Sequence, residues 1–111
     1  MPDTMRSGST ILVTGVGGPA GRAAATYFAA KGYTVVGTDA RPVEATGTVF
    51  RLVPLARDPA FVPALIDLAI SEGAALVLPT VTEELPVVAH MRAAFRQRGI
   101  ALCVSDPPGV E

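Results

Sequence analysis

Glycines carry the first chemical signal in this chain. They lie in Ile11-Leu12-Val13-Thr14-Gly15-Val16-Gly17-Gly18-Pro19-Ala20-Gly21, where Gly15, Gly18 and Gly21 follow the spacing T-G-x-x-G-x-x-G. Gly15, Gly17 and Ala20 also satisfy the looser G-x-G-x-x-A pattern. Residues without side chains let backbone amides come close to a ligand. A helix that starts at such a loop adds free N–H groups and a partial positive charge. The chemistry to expect is the cradling of a phosphate or a carboxylate. A P-loop is excluded, because Arg22 follows Gly21 where lysine is needed and the glycine spacing is too short.

Asp39 is a second candidate. It stands about 20 residues past the loop, where a dinucleotide-binding fold places its ribose acceptor. Arg41 follows two positions on. Asp39 equally suits the start of a loop. The third candidate is Leu76-Val77-Leu78-Pro79-Thr80-Val81-Thr82-Glu83-Glu84-Leu85, an apolar run that passes through Pro-Thr into two carboxylates. Thr82 fits an N-cap, with Glu83 and Glu84 at the positive end of the next helix. Thr80 with Glu83 could form a capping box, but Pro86 would then sit too deep in the helix. With Thr82 as the cap, Thr80 and Glu83 are free to face the glycine loop.

His90 and Cys103 stand alone and read as structural, with Cys103 a small buried hydrophobe in a strand. Arg92, Arg96 and Arg98 read as a solvated face near a helix carboxyl end. No Ser-His-Asp order, metal-ligand spacing or aromatic–basic interleaving is present.

These candidates need elements to hold them. The apolar run over 10–14 predicts a buried first strand, continuous in character as parallel strands are. The alanine-rich stretch over 20–31 predicts a helix anchored by Tyr27 and Phe28 and stopped by Gly32. Residues 33–38 predict a second strand, residues 40–47 a loop, and residues 49–53 a short third strand. Asp58 with Pro59 predicts the cap and first position of a helix that buries Val62, Leu65, Ile66, Ala69 and Ile70. Pro63 predicts a kink or a loose first turn. A fourth strand over 74–79 follows. Next comes a third helix over 82–98, with Leu85, Val88, Met91 and Phe95 as its stripe. A fifth strand covers 100–104. Residues 1–9 read as a flexible tail and 107–111 as a linker, leaving one domain over 10–106.

Strands alternating with helices require right-handed crossovers and a parallel sheet covered on both faces. The expected fold is α/β, a Rossmann-like three-layer domain with strand order 3-2-1-4-5. That order sets the carboxyl ends of strands one and four side by side at the switch point, where such sheets bind ligands.

At 111 residues, half of them hydrophobic and 17% charged, the chain suits an ordered single domain. A net charge of -1 offers no electrostatic case for nucleic acid or an anionic membrane. No apolar run approaches the roughly 20 residues of a membrane span. A single cysteine excludes internal disulfides and cysteine-based zinc sites, and fits a reducing, cytoplasmic compartment.

Taken together, these motifs resemble the amino-terminal (pre-ATP-grasp) domain of ATP-grasp enzymes, in particular the carbamoyl-phosphate-synthase-like carboxylate–amine ligases. The resemblance runs from Thr10 to about Val110. It rests on the glycine segment, on Val53-Pro54-Leu55-Ala56-Arg57-Asp58-Pro59-Ala60-Phe61-Val62, on Leu76 to Leu85, and on Ile100-Ala101-Leu102-Cys103-Val104-Ser105-Asp106-Pro107-Pro108. It implies a domain that forms one wall of the acceptor site, a role falling on the backbone of Gly17, Gly18 and Pro19 and on Thr80 and Glu83. It further implies that ATP and magnesium are held by an ATP-grasp domain or chain acting as partner. The substrate would be a small-molecule carboxylate or amine. This chain alone would bind no cofactor and would be an incomplete ligase.

A different function stays open, an NAD or NADP-binding domain of an extended short-chain reductase or epimerase. In it Gly15, Gly18, Gly21 and Asp39 would hold the cofactor. Tyr27 and Lys31 have the Tyr-x-x-x-Lys spacing of such enzymes but fall on the first helix, away from a nicotinamide. A non-catalytic protein that docks a second chain is the third possibility.

Overall fold

The computed structural model describes residues 8–43, 49–81, 86–87 and 92–103. Strand β1 (Thr10–Val13) leads through the glycine loop into helix α1 (Pro19–Ala30) and strand β2 (Thr34–Asp39). Strand β3 (Val49–Leu52), helix α2 (Phe61–Ser71) and strand β4 (Ala74–Leu78) follow, then helix α3 (Arg92–Gln97) and strand β5 (Ala101–Leu102). All the strand pairings are parallel, in one sheet of order β3-β2-β1-β4-β5. The expected Rossmann-like α/β architecture is therefore present.

Alternation along the strands splits the core into two layers. Ile11, Val13, Val35 and Leu76 join Ala25 of α1 on one face. Leu12 and Val77 join Phe61 and Leu65 of α2 and Phe95 of α3 on the other. β1 is central, so residues 11 to 13 are wholly buried. β3 is an edge, and Val49 and Leu52 remain exposed there. One irregularity interrupts the ladder. Thr10 pairs with Ala74 but Ile11 with Leu76, so Ala75 is skipped.

The helix ends follow from local chemistry. At the end of α1, Tyr33 N–H reaches Phe28 O at 3.1 Å and Gly32 N–H reaches Ala29 O at 3.1 Å. Gly32 has φ of +93°, the left-handed turn this cap requires. The Phe28 and Tyr33 rings, 5.8 Å apart and edge-on, seal it. The same bonds recur after α3, where Ile100 N–H reaches Phe95 O and Gly99 N–H reaches Arg96 O, both at 3.0 Å.

Three expectations need correction. Asp58 does not cap α2. Its carboxylate accepts Ala60 N–H at 2.8 Å and its carbonyl accepts Phe61 N–H at 2.9 Å, in a turn ahead of the helix. The cause is Pro63, which lacks an N–H. The helix starts at Phe61, its first i to i−4 bond is Ala64 N–H to Ala60 O at 3.0 Å, and Pro63 lies harmlessly in the first turn. Ile70 is 51% exposed rather than buried, and Phe61, at 0%, takes the anchoring role. Cys103 is exposed, because β5 ends at Leu102 and Cys103 only donates its N–H to Val77 O.

Arg96 and Arg98 are exposed as expected, whereas Arg92 is half-buried. Thr82, Glu83, Glu84, Leu85, Val88, His90, Met91 and Val104 lie outside the described residues. Among the described residues, no helix is long and apolar enough to cross a membrane.

Candidate functional site

The glycine loop is tied to both neighbours of β1. Thr14 N–H continues the ladder to Leu78 O at 3.1 Å, and Val16 N–H turns the other way to Thr38 O at 3.0 Å. Between them Gly15 takes φ of +63°. A side chain there would be strained, and its Cβ would also collide with Val81 Cγ2 and lie 2.8 Å from Thr80 Oγ1. The residues after β4 thus roof the first glycine.

The turn closes with Gly18 N–H donating to Gly15 O at 3.0 Å. Gly18 is the N-cap of α1, with no side-chain cap, and Pro19 takes the first helical position. The first helical bond runs from Arg22 N–H to Gly18 O at 2.9 Å. The N–H groups of Ala20 and Gly21 therefore have no intrahelical acceptor. Gly21 is set by packing, since a Cβ on it would run into the Gly15 carbonyl oxygen. Its bareness lets α1 lie on the loop. Gly18 is different, since a Cβ there would meet only Gly15 O at 3.6 Å.

Asp39 closes the opposite side. Its Oδ2 accepts Gly17 N–H at 2.9 Å, and its Oδ1 accepts Arg41 N–H at 3.3 Å. A Cβ on Gly17 would stand 2.8 Å from both Asp39 Oδ2 and Val43 Cγ2. The space beside Gly17 is thus already filled by protein. Arg22 Nη2 donates to Gly17 O at 3.3 Å from the outer side of the loop.

Thr80 lies beside the loop as expected, but its polar groups turn inward. Its hydroxyl donates to Thr14 O at 2.7 Å and its N–H donates to Thr14 Oγ1 at 3.0 Å. It shapes the site by holding Thr14. Next to Asp39, the hydroxyl of Thr38 is wholly buried without a partner among the described residues.

These groups enclose a cleft of about 520 Å³ between Gly18–Gly21 at the head of α1, Asp39 and Arg41 after β2, Leu55 after β3, and Thr80 and Val81 after β4. A recess of about 100 Å³ adjoins it, lined by Pro54, Leu55, Ala56, Ala40, Val81, Gly15 and Asp39. The structure therefore brings together Gly15, Gly18, Pro19, Gly21, Asp39 and Thr80. Gly17 braces the loop from behind, and Glu83 lies outside the described residues. Tyr27 and Lys31 do not line the cleft. Lys31 stands at the other end of α1, its Nζ 5.4 Å from the centre of the exposed Tyr27 ring.

Sequence reasoning missed Leu55 and Val81. Both immediately follow strand carboxyl ends, where open α/β sheets build their clefts. Their position was therefore a usable signal. Among the described residues no group of three or more His, Cys, Asp or Glu side chains is arranged to hold a metal ion.

No protein-family model matches the chain, and no curated protein is significantly similar to it. Solved structures are. Thermoplasma acidophilum aldohexose dehydrogenase, in ligand-free form, is 25% identical with a TM-score of 0.56 over 66% of this chain and 29% of that one. Ribose-5-phosphate isomerase from Brucella melitensis 16M is 19% identical with a TM-score of 0.66, over 87% of this chain and 50% of that one. The second likeness concerns the fold alone. The chain spans at most half the length of these two neighbours.

Proposed function

We propose that this chain is the substrate-side domain of an ATP-dependent carboxylate–amine ligase of the ATP-grasp type, carbamoyl-phosphate-synthase-like in its motifs. One observation carries the reading. Thr80 and Val81, from the most distinctive motif, close directly over Gly15, while Asp39 and Val43 fill the space beside Gly17. The opening that remains runs from Gly18–Gly21 past Leu55 and Val81 to Asp39, Ala40 and Arg41. In this reading it takes a compact acid. The N–H groups of Ala20 and Gly21 would hold the acid group, assisted by the positive end of α1. Thr80 would position the wall, and Glu83, in the same motif, would contact the substrate.

ATP with its metal belongs in this reading to a partner domain or chain. A small-molecule carboxylate or amine is the substrate and the cytoplasm is the setting.

The second reading is an NAD or NADP-binding domain of a reductase or epimerase. Asp39 at the end of β2, sharing a cleft with Gly15, Gly18 and Gly21, favours it, as does the likeness to a dehydrogenase. Calorimetric titration with NAD, NADP and ATP separates the two. The ligase reading expects no saturable binding of any of them. Micromolar binding of NAD or NADP would replace it with the second reading.

A further inference from the structure

The two edges of the sheet differ in what stands beside them. At β3, Val53 N–H bonds to Asp39 O, so by alternation Phe50 turns its N–H and C=O away from the sheet. Arg51 folds over that edge. Its Nη1 donates to Phe50 O at 3.1 Å and its Nε to Glu72 Oε2 at 3.0 Å. A charge held on an edge discourages a further strand. At β5, Cys103 N–H bonds to Val77 O, so Leu102 turns both its N–H and its C=O to the open side.

Beside that open side, α3 and β5 enclose a cleft of about 350 Å³, lined by Arg92, Arg96 and the run from Gly99 to Leu102. No residue of α2 or β4 lines it, so it lies on the outer flank of the domain. Among the described residues no carboxylate lines it either. Arg96 is exposed and Arg92 half-buried. Arg92 also makes a contact elsewhere, but a guanidinium carries five N–H donors and has others to offer. Arg98 does not join them, because its Nη1 donates to Ala94 O at 3.0 Å.

We infer that this flank takes an extended acidic segment of a partner protein, which adds to β5 as a further strand and sets two carboxylates on Arg92 and Arg96. The spacing carries the inference. Arg92 and Arg96 are one helical turn apart, about 6 Å along the axis, on one side of α3. In an extended chain, side chains on one face repeat every second residue, about 7 Å apart. Because α3 turns back through Gly99 into β5, the line from Arg92 to Arg96 runs alongside the strand. Leu102 supplies the backbone bonds and the arginines the charge-assisted ones. The chain's own continuation, Val104-Ser105-Asp106-Pro107-Pro108, is a poor occupant, with one carboxylate and two prolines that lack an N–H. The flank shares no residue with the glycine cleft, and the inference is independent of what that cleft binds.

The test follows backbone amide shifts of the isotope-labelled full chain on titration with peptides blocked at both ends. Thr-Glu-Val-Glu-Thr sets its carboxylates on one face, Thr-Glu-Glu-Val-Thr sets them on opposite faces, and Thr-Gln-Val-Gln-Thr has none. The first is expected to move the amides of Gly99, Ala101 and Leu102 and to leave those of Ala20 and Gly21 in place. It is expected to bind about tenfold more tightly than either of the others. Arg96→Glu, at an exposed position, should reduce its binding to the level of the glutamine peptide. Arg92→Gln should weaken it too, and the Arg96 variant decides the matter if Arg92→Gln disturbs the fold. Equal binding of the two glutamate peptides would overturn the inference, since charge would then act without strand geometry. Absence of any shift with the first peptide at millimolar concentration would also overturn it. Inorganic phosphate and a single-stranded oligonucleotide are titrated alongside, and tighter binding of either at the same amides would replace the peptide with a phosphate-bearing ligand. Asp106→Asn is expected to leave peptide binding unchanged. A tenfold gain would make the chain's own carboxylate the occupant and overturn the assignment to a partner.

Discussion

Thr80 donates two hydrogen bonds to Thr14 across the switch point of the sheet. The Thr80 hydroxyl donates to the Thr14 carbonyl at 2.7 Å, and the Thr14 hydroxyl accepts the Thr80 N–H at 3.0 Å. Thr14 is wholly buried. If either threonine moves, both bonds are lost. The pair fixes the height of Val81 above Gly15, and with it the depth of the cleft.

Thr80→Val keeps the shape of the side chain and removes its hydroxyl. The Thr14 carbonyl loses that donor, and the expected loss of stability is about 1–2 kcal/mol. Thr80→Ser keeps the bond and should lose less. Urea unfolding of the two variants checks the difference, and equal midpoints would show that the bond contributes nothing.

Gly21→Ala and Gly18→Ala separate packing from exposure. The first drives a methyl group into the Gly15 carbonyl, and the second meets only an ordinary contact. Gly21→Ala is expected to cost about 1–3 kcal/mol or more, as overpacking does. Gly18→Ala should stay within about 1 kcal/mol of the parent. Thermal melts of both read this directly.

Asp39→Ala removes the acceptor for Gly17 N–H, and the loop loses its brace. The expected cost is about 1.5–3 kcal/mol, the range for a hydrogen bond to a charged group. Asp39→Asn retains an oxygen for that amide and should be milder. Hydrogen exchange at Gly17 is the local measurement, with faster exchange expected in the alanine variant.

Leu65→Ala tests the layer beneath the cleft. Leu65 is wholly buried, in the cluster with Leu12, Phe61 and Phe95. The expected loss is about 2–5 kcal/mol. By contrast, Glu72→Gln breaks an ion pair to Arg51 whose side chains are 22% and 48% exposed, and should change stability by no more than about 1 kcal/mol.

The strand order was legible because it follows from handedness. A strand–helix–strand unit that can turn only one way, with a reversal after β3, leaves few arrangements. The three glycine stops were legible because Gly32, Gly73 and Gly99 all carry positive φ beyond a helix. The start of α2 was not. Asp58-Pro59 is a sound capping signal, but Pro63 competes with it through one missing N–H, and a local pattern does not weigh the two. Cys103 was misread because strand length at an edge depends on how far the neighbouring strand continues. The glycine loop was legible as a cradle. The inward turn of Thr80 was not, since it depends on a partner 66 residues away.

That separation bears on how the protein acquires its shape. β1 pairs with β2 on one side and with β4 on the other, so the central strand waits for partners from both halves of the described chain. Closing long loops before contacts reward them slows folding. During synthesis β1, α1 and β2 leave the ribosome before β4, with one edge of β1 still bare. The cleft is therefore completed late, when β4 docks against that edge and Thr80 reaches Thr14.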